Sequence, residues 1–451
     1  MSMSERFDLT PQMAPFFDVH MVSPLLDHLT EMSAESAGAM TKKALTQLKI
    51  KVVEPTNMVE LVEDEYEKFP EDAEFQKEYK ERKPVFEERK EKIFDLIDNE
   101  PEDVKQVAAF FEDSTLISDL RTNANLTPEY IGANHNITTE AFDAYYKFSK
   151  FKYECGMYSD AEDMLGNYLS VTQTKNILGA LWGRLACRIL QAKWADSLVD
   201  LIAVKDAIEV RNINPIDQLR QRAWLLHWAL FVYLNRGPEG VDALVDLFTD
   251  RAYLQTLENL CPWLLRYLSA AVILSPSKRH TKLRDLLSEI SAMSYQYSDP
   301  ITQFLGSLFD EFDFDTAQAK LKECQELVRN DFFLQIHGDK FMHEARMLIC
   351  EMYCAINRKL DLQMLAEKLQ LTDEEAERWM VDMVRGNSTS YGPNLDAKID
   401  SSGKQVIISA PARSAFKEVV ESSRDLNTRS GILSSNLENL VKEQAGYIKS
   451  R

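Results

Sequence analysis

The sequence predicts a mostly α-helical protein: an α-solenoid of helix pairs that resemble tetratricopeptide repeats, then a winged helix, then one more helix at the C-terminus. Two observations predict this fold. Similar turn segments precede Tyr158 and Trp194, which lie 36 residues apart, close to the ~34-residue period of tetratricopeptide helix pairs. Nearer the C-terminus, three helical patterns precede two short β patterns between residues 341 and 410. Three helices followed by a β-hairpin form a winged helix.

Residues 1–50 are expected to form an N-terminal helical segment and a linker. Large apolar residues recur there between Met13 and Leu29, three or four positions apart, as on one face of a helix. We interpret this segment as a helical pair that packs on the following domain. Docking onto a partner protein is the alternative.

A helical-repeat domain is expected over residues 51–290. Its beginning is acidic, with 22 acidic and nine basic residues between Glu54 and Asp119. Such a balance indicates solvated helix faces or, alternatively, a surface that docks onto a basic partner. The prolines of this region, Pro84 among them, are predicted to interrupt helices or to begin them, because proline lacks the backbone N–H that a helix interior requires.

The repeated turns are predicted to begin the second helix of each pair. Gly156-Met157-Tyr158-x-x-Ala161-x-x-x-Leu165 has a counterpart at Lys193-Trp194, and Phe312-Asp313-Phe314-x-x-Ala317 echoes it later. Asp313 is predicted to cap a helix, and His227 to be a hydrogen-bonded core residue. Five tryptophans at helical spacing are predicted to be core residues: Trp182, Trp194, Trp224, Trp228 and Trp263.

The winged helix is predicted over residues 341–410. A first apolar helix covers 341–360 and a short second helix covers 361–369. Thr372 and Glu375 form a capping box that begins the third helix, and two β patterns end at Ile399 and Ser409. From Lys340 to Ala410, acidic residues outnumber basic ones by eleven to nine, and carboxylates would face DNA phosphates. Direct DNA binding is therefore not expected.

We expect the hairpin edge to pair with another chain, because an open strand edge offers unpaired N–H and C=O groups. The residues predicted for this inter-subunit sheet are Lys398, Ile399, Val406, Ile407 and Ile408. The alternative is a hairpin that only covers its own helices.

The tail, residues 411–451, is predicted to be a helix with an imperfect heptad-like apolar stripe. The sequence offers no core of its own to cover the stripe, so we expect it to join a helix bundle with other subunits. The stripe residues predicted for this contact are Ile432, Leu433, Leu437 and Leu440.

The sequence contains no convincing catalytic motif. Neither a Gly-x-x-x-x-Gly-Lys phosphate loop, a Gly-x-Gly-x-x-Gly turn nor a Gly-x-Ser-x-Gly elbow occurs. His343-Glu344 could begin a zinc motif, but Met347 stands where the second histidine belongs. We therefore predict that the protein is not an enzyme and uses no cofactor and no metal.

Compartment signals favour the cytoplasm. The six cysteines include no Cys-x-x-Cys pair and fit buried thiols of a reducing compartment. The first residues are polar, unlike a signal peptide, and no apolar run approaches the ~20 residues of a membrane span. The formal net charge of −20 argues against a broad nucleic-acid platform.

Several ordered motifs carry a resemblance that runs from Phe7 to about Asp400. Among them are Lys150-Phe151-x-Tyr153-Glu154-Cys155-Gly156-x-Tyr158, Gln221-Arg222-x-Trp224-Leu225-x-His227-Trp228, Asp299-Pro300-Ile301-Thr302-x-Phe304 and Glu374-Glu375-Ala376-Glu377-Arg378-Trp379. With these motifs the chain resembles the PCI-domain family, which includes scaffold subunits of the proteasome lid, the signalosome and an initiation factor. Within it, the chain is similar to the e-subunit family of eukaryotic translation initiation factor three.

The resemblance implies a PCI domain over residues 291–410 and a bundle helix over 411–451. It also implies a non-catalytic scaffold subunit of the multi-subunit factor that binds the small ribosomal subunit. Its partners would be other PCI-domain subunits, with the ribosomal subunit reached through the complex and no membrane involved. A scaffold subunit of the proteasome lid or of the signalosome is the alternative, and a nucleic-acid-binding winged helix is a more distant one.

Overall fold

The structure, a computed structural model, describes most of the first 361 residues and selected residues beyond them. The described residues are 7–35, 42–70, 72–122, 126–135, 137–171, 176–210, 214–357, 359–361, 378, 381, 396–400, 405–409, 419–420, 422–424 and 426–437. The chain divides into two compact units, Met1–Ile349 and Cys350–Arg451. It is mostly α-helical, as predicted: an α-solenoid of helix pairs is followed by a small antiparallel sheet and by helical residues in the tail.

The first unit begins with the N-terminal segment, defined here as residues 7–35. The segment contains α1 (Thr10–Met13), a 3₁₀ turn (Ala14–Phe16) and α2 (Val19–Glu35). Among the described residues, six helices connect it to the repeats: α3 (Lys42–Val53), α4 (Val59–Glu67), α5 (Ala73–Asp98), α6 (Glu102–Glu112), α7 (Ser114–Thr122) and α8 (Pro128–His135).

Helix pairs follow. They are α9 (Thr139–Glu154) with α10 (Tyr158–Val171), α11 (Ile177–Leu190) with α12 (Trp194–Val210), and α13 (Pro215–Leu234) with α14 (Gly237–Phe248). The rest of the unit contains α15 (Arg251–Leu260), α16 (Leu265–Leu274), α17 (Pro276–Met293), α18 (Pro300–Phe309), α19 (Phe314–Asn330) and the start of α20 (Gly338–Ile356). Within the described residues, every helix is too short or too polar to traverse a lipid bilayer.

The predicted repeat of turns is confirmed. Helices α10 and α12 begin at Tyr158 and Trp194, and a residue with positive φ lies two positions before each, Gly156 at 83° and Ala192 at 56°. The backbone N–H of Met157 donates to the carbonyl of Lys152, and Lys193 donates to Arg188 in the same way. These contacts close the preceding helix with a left-handed residue, so both helix pairs turn by the same local geometry.

The similar turn predicted before Phe314 is also present in the structure. Phe312, with a φ of 55°, lies two positions before α19. Asp313 caps that helix, because its carboxylate accepts hydrogen bonds from the N–H groups of Asp315 and Thr316. The prediction that Asp313 is a capping residue is therefore confirmed.

Two local predictions are wrong. Pro84 lies inside α5, which continues without interruption from Ala73 to Asp98. A single proline removes only one hydrogen-bond donor from the helix, and α5 tolerates that loss at an exposed position. Trp224 is 41% exposed although Trp182 and Trp228 are buried. Its ring meets Trp182 edge to face, so only one side of it is packed.

In its described part, the second unit contains a three-stranded antiparallel sheet. Its strands are β1 (Lys359–Asp361), β2 (Asp396–Asp400) and β3 (Gln405–Ser409), in the order β1-β3-β2. The hairpin of β2 and β3 matches the prediction. Strand β1 does not, since a helix was predicted to begin at Asp361. The predicted helices over 361–369 and from Thr372 onward lie almost entirely outside the described residues, although Arg378 and Val381 are helical.

Candidate protein-interaction surfaces

The edge of the sheet is the first candidate surface. Lys398 and Ile399 lie on β2, which pairs only with β3 among the described strands. Strand β3 is the central strand: Ile407 stands opposite Lys398 on one side and opposite Lys359 on the other. An additional strand can pair only with an edge, so β2 is the edge of the predicted hairpin at which another chain could add a strand.

The five residues predicted for an inter-subunit sheet thus fall into two groups. Lys398 and Ile399 belong to an edge strand. Val406 and Ile407 belong to backbone that is paired on both sides. Ile408 stands opposite Ala397 on β2 and lies one position outside the pairing of β3 with β1. Their role in contacting another subunit stays a prediction. Of the five, Lys398 and Ile399 on β2 are the ones whose backbone could pair with a strand of another chain.

The second candidate surface is the tail stripe, defined here as Val419, Leu426, Ile432, Leu433 and Leu437. All five side chains are exposed, Leu426 to 65% and Leu433 to 62%. Val419, Leu426 and Leu433 lie seven residues apart, which places them on one face of a helix. An apolar face of this kind gains free energy when a second helix removes it from water. Leu440, predicted to extend the stripe, lies outside the described residues.

The N-terminal segment has the same apolar character but lies within the first unit. Phe16 stacks on the ring of His227 with centroids 4.3 Å apart, and the Trp228 indole N–H donates to the Phe16 carbonyl at 3.0 Å. Phe17 meets Phe231 edge to face at 5.2 Å. The interpretation of this segment as a helical pair that packs on the following domain is confirmed for residues 7–30.

Polar contacts fix the position of the segment at three further points. The Tyr153 hydroxyl donates to Asp18 Oδ1 at 2.9 Å, and His20 Nδ1 lies 2.9 Å from the Tyr158 hydroxyl. At the other end, His28 Nε2 donates to the Asn330 carbonyl at 3.2 Å. The segment therefore contacts the first helix pair and the end of α19, so it connects the repeats to the C-terminal part of the first unit.

His227 is a satisfied core histidine, as predicted. Its Nε2 accepts a hydrogen bond from the Trp263 indole N–H at 3.0 Å, which leaves Nδ1 to donate to the Ala223 carbonyl at 2.7 Å. Burial lowers the pKa of His227 to about 4, because a charged imidazolium loses its hydration there. The ring is neutral at physiological pH and offers Phe16 a flat stacking surface.

A buried ion cluster holds the beginning of the segment. Arg266 donates from Nε to Asp299 at 2.9 Å, from Nη1 to Asp331 at 3.1 Å and from Nη2 to the Phe7 carbonyl at 2.7 Å. Burial alone would lower the pKa of Arg266, but the neighbouring Tyr297, Asp299 and Asp331 raise it. The guanidinium therefore stays charged with all its main partners in place.

The sequence analysis did not single out Arg266, although the apolar residues around it could have indicated a buried and paired charge. The run from Leu264 to Leu274 is apolar apart from Arg266, Tyr267 and Ser269. A charge in such a run must be paired when the helix is buried. That rule would have predicted two carboxylates nearby, although not which ones.

Comparison with known proteins agrees with this architecture. The family description "eIF3 subunit 6 N terminal domain" matches residues 8–152, and "PCI domain" matches residues 321–410. A helical-repeat chain with a winged helix and this match is a PCI-domain protein.

Similarity to curated proteins identifies the family within this class. The E subunits of eukaryotic translation initiation factor 3 from Aspergillus clavatus, Phaeosphaeria nodorum and Yarrowia lipolytica are each 32% identical to this chain. The alignments cover 95%, 96% and 94% of this chain and 93%, 97% and 97% of the relatives, respectively. The chain belongs to the E-subunit family of eukaryotic translation initiation factor 3.

Proposed function

We propose that the chain is a non-catalytic scaffold subunit of the multi-subunit translation initiation factor, acting in the cytoplasm. It would assemble with other PCI-domain subunits and reach the small ribosomal subunit through the complex. The observation that carries this proposal is the tail stripe, an apolar helical face that is exposed in a chain whose relatives are named as subunits. A scaffold of the proteasome lid or the signalosome is not favoured, because the similar curated proteins are initiation-factor subunits.

The stripe is tested by one substitution and its matched control. Leu433→Asp places a charge in the centre of the stripe, whereas Ser435→Asp adds the same charge on the opposite side of the same helical turn. Both positions are exposed, so neither change should affect folding of the isolated chain. Tagged variants are expressed with the sister subunits, and the co-purified complex is quantified. We expect Leu433→Asp to lose most of it and Ser435→Asp to retain it.

Equal recovery of the complex with both variants would remove the tail from the proposed interface. Co-purification of proteasome-lid or signalosome subunits in place of initiation-factor subunits would instead overturn the assignment to this assembly. The two results are distinct, so the interface and the assembly are tested separately.

The β2 edge needs a different test, because Ile407 lies on the central strand and its substitution would disturb the sheet itself. Consecutive residues of an antiparallel edge strand direct their N–H groups alternately to the neighbouring strand and to the open side. Of Ala397→Pro and Lys398→Pro, one therefore removes a bond within the sheet and the other removes a donor from the open edge. We expect the variant with unchanged thermal stability to bind its sister subunits more weakly. Full binding by that variant would contradict edge pairing.

A further inference from the structure

A cleft lies between the N-terminal segment, α3 and the last turns of α19. Its volume is about 350 Å³, more than twice the ~150 Å³ of an apolar cavity that holds one benzene molecule. It therefore has room for about two leucine-sized or ring-sized side chains. Leu29, Met32, Leu48 and Val52 line it and are only partly covered, so apolar surface continues to the opening.

The interior of the cleft is apolar and adaptable. Leu25, Leu26, Leu45 and Met13 form part of its buried wall. Methionine side chains fill irregular spaces and adjust to different neighbours. A ligand that enters the cleft is held by removal of apolar surface from water, which favours a ligand with leucine-like or aromatic groups.

The charges at the cleft are acidic. Asp8 and Glu326 line it and are exposed, and Glu323 lines it while paired with Lys320. Arg266 is the cation among the lining residues, and it is already bound to Asp299, Asp331 and the Phe7 carbonyl. Among the described lining residues, a fatty acid, an anionic lipid or a nucleic acid would meet carboxylates without an available positive charge. Lysine or arginine beside the apolar groups would be attracted instead.

The walls of the cleft are mostly helices, apart from Phe7–Leu9 and Asp331–Phe333, and none of the described lining residues lies on a β-strand. This limits the backbone form of the ligand. Helix backbones use their own N–H and C=O groups, so an extended peptide would find no strand edge with which to pair. A helical ligand satisfies its own backbone and offers only side chains. We propose that the cleft binds an amphipathic helix of another protein, with apolar side chains on one face and basic residues at the flanks of that face.

The proposal is tested with the full-length chain and a designed, fluorescently labelled peptide of about 15 residues, long enough to form a helix. The peptide carries leucine at i, i+3, i+4 and i+7 and lysine at the flanks. One control peptide has the same composition with the leucines spread around the helix, and another has glutamate in place of lysine. We expect fluorescence anisotropy to show the first peptide binding about tenfold more tightly than either control, with an advantage over the glutamate peptide that shrinks as salt rises.

Matched variants locate the binding. Leu48→Asp alters a partly exposed lining residue, and Val199→Asp places the same group at an exposed apolar position outside the cleft. Glu326→Lys reverses a charge at the cleft, and Glu311→Lys reverses an exposed charge elsewhere. We expect the two cleft variants to weaken binding about tenfold and about threefold, respectively, and the two controls to leave it unchanged. Thermal melting of each variant checks that the fold is intact.

Three results would overturn the proposal. Equal affinity for the leucine-face and the scrambled peptide would mean that only charge is recognised. Photo-cross-linking of the peptide outside the cleft would place the site elsewhere, whatever the variants do. Peptide binding that appears only after residues 1–6 are removed would make the chain itself the occupant. These results do not depend on assembly with sister subunits, so they leave the proposed scaffold function untouched.

Discussion

The two ends of the chain carry similar apolar helical segments in opposite environments. In the N-terminal segment Phe17 is 8% exposed, whereas Leu433 in the tail stripe is 62% exposed. Both lie at helical spacing with other large apolar residues. The difference is that α13, α16 and α19 supply aromatic rings, carbonyls and an arginine to receive the first segment. The same kind of pattern thus stabilises the fold at one end and remains exposed at the other.

The largest expected difference between the two ends is in the free energy of unfolding of the isolated chain. Phe17→Ala removes a ring that packs on His227 and Phe231, and truncation of a buried phenylalanine costs about 3–5 kcal/mol. Leu433→Ala removes an exposed side chain and should change stability by less than about 0.5 kcal/mol. Urea unfolding of the two variants measures both values. Similar losses would mean that the tail, too, is covered within the chain.

A smaller, pH-dependent effect on the free energy of unfolding is expected where the N-terminal segment packs on His227. The pKa of His227 is about 4 in the folded protein and about 6.5 in an unfolded chain, so the unfolded state binds more protons between these values. Its contribution is complete above pH 6.5 and is lost as the pH falls toward 4, by up to about 3 kcal/mol. Burial also lowers the pKa of His20, although the charge of Asp18 opposes this shift. His20 therefore also contributes to the loss of stability as the pH falls.

The histidine effect is measured by unfolding at several pH values. We expect His227→Gln to be less stable at neutral pH, because it loses the ring that stacks on Phe16, and to show a weaker decline between pH 6.5 and 4. His343→Gln, at an exposed position, should keep the wild-type decline. An unchanged slope in His227→Gln would assign the pH dependence to other groups.

The contrast between the ends also shows what sequence patterns can and cannot predict. The turns before Tyr158 and Trp194 and the cap at Asp313 were predictable, because each depends on a few neighbouring residues. Whether an apolar segment is covered depends on distant ones: Phe16 reaches Trp228 and Phe7 reaches Arg266. Spacing alone therefore could not decide whether the N-terminal segment packs on its own chain or docks onto a partner protein.

The sheet gives a second example. Strand β1 has three residues, too few for a period of two to be recognised, and it pairs with Gln405–Ile407 more than 40 positions away. The apolar residues after Asp361 favoured a helix there. The hairpin itself was predictable from alternation and its turn, but the position of β3 between two strands was not. That position confines the predicted edge contact to β2.

The central claim is that the tail serves assembly and contributes little to folding of the chain. Deletion of residues 412–451 tests it most directly, with thermal unfolding of the isolated chain and co-purification with sister subunits measured on the same protein. We predict an unchanged melting temperature for the first unit together with loss of most of the assembled complex. A truncated chain that still assembles at full affinity, or one whose first unit melts at a clearly lower temperature, would contradict this division of roles.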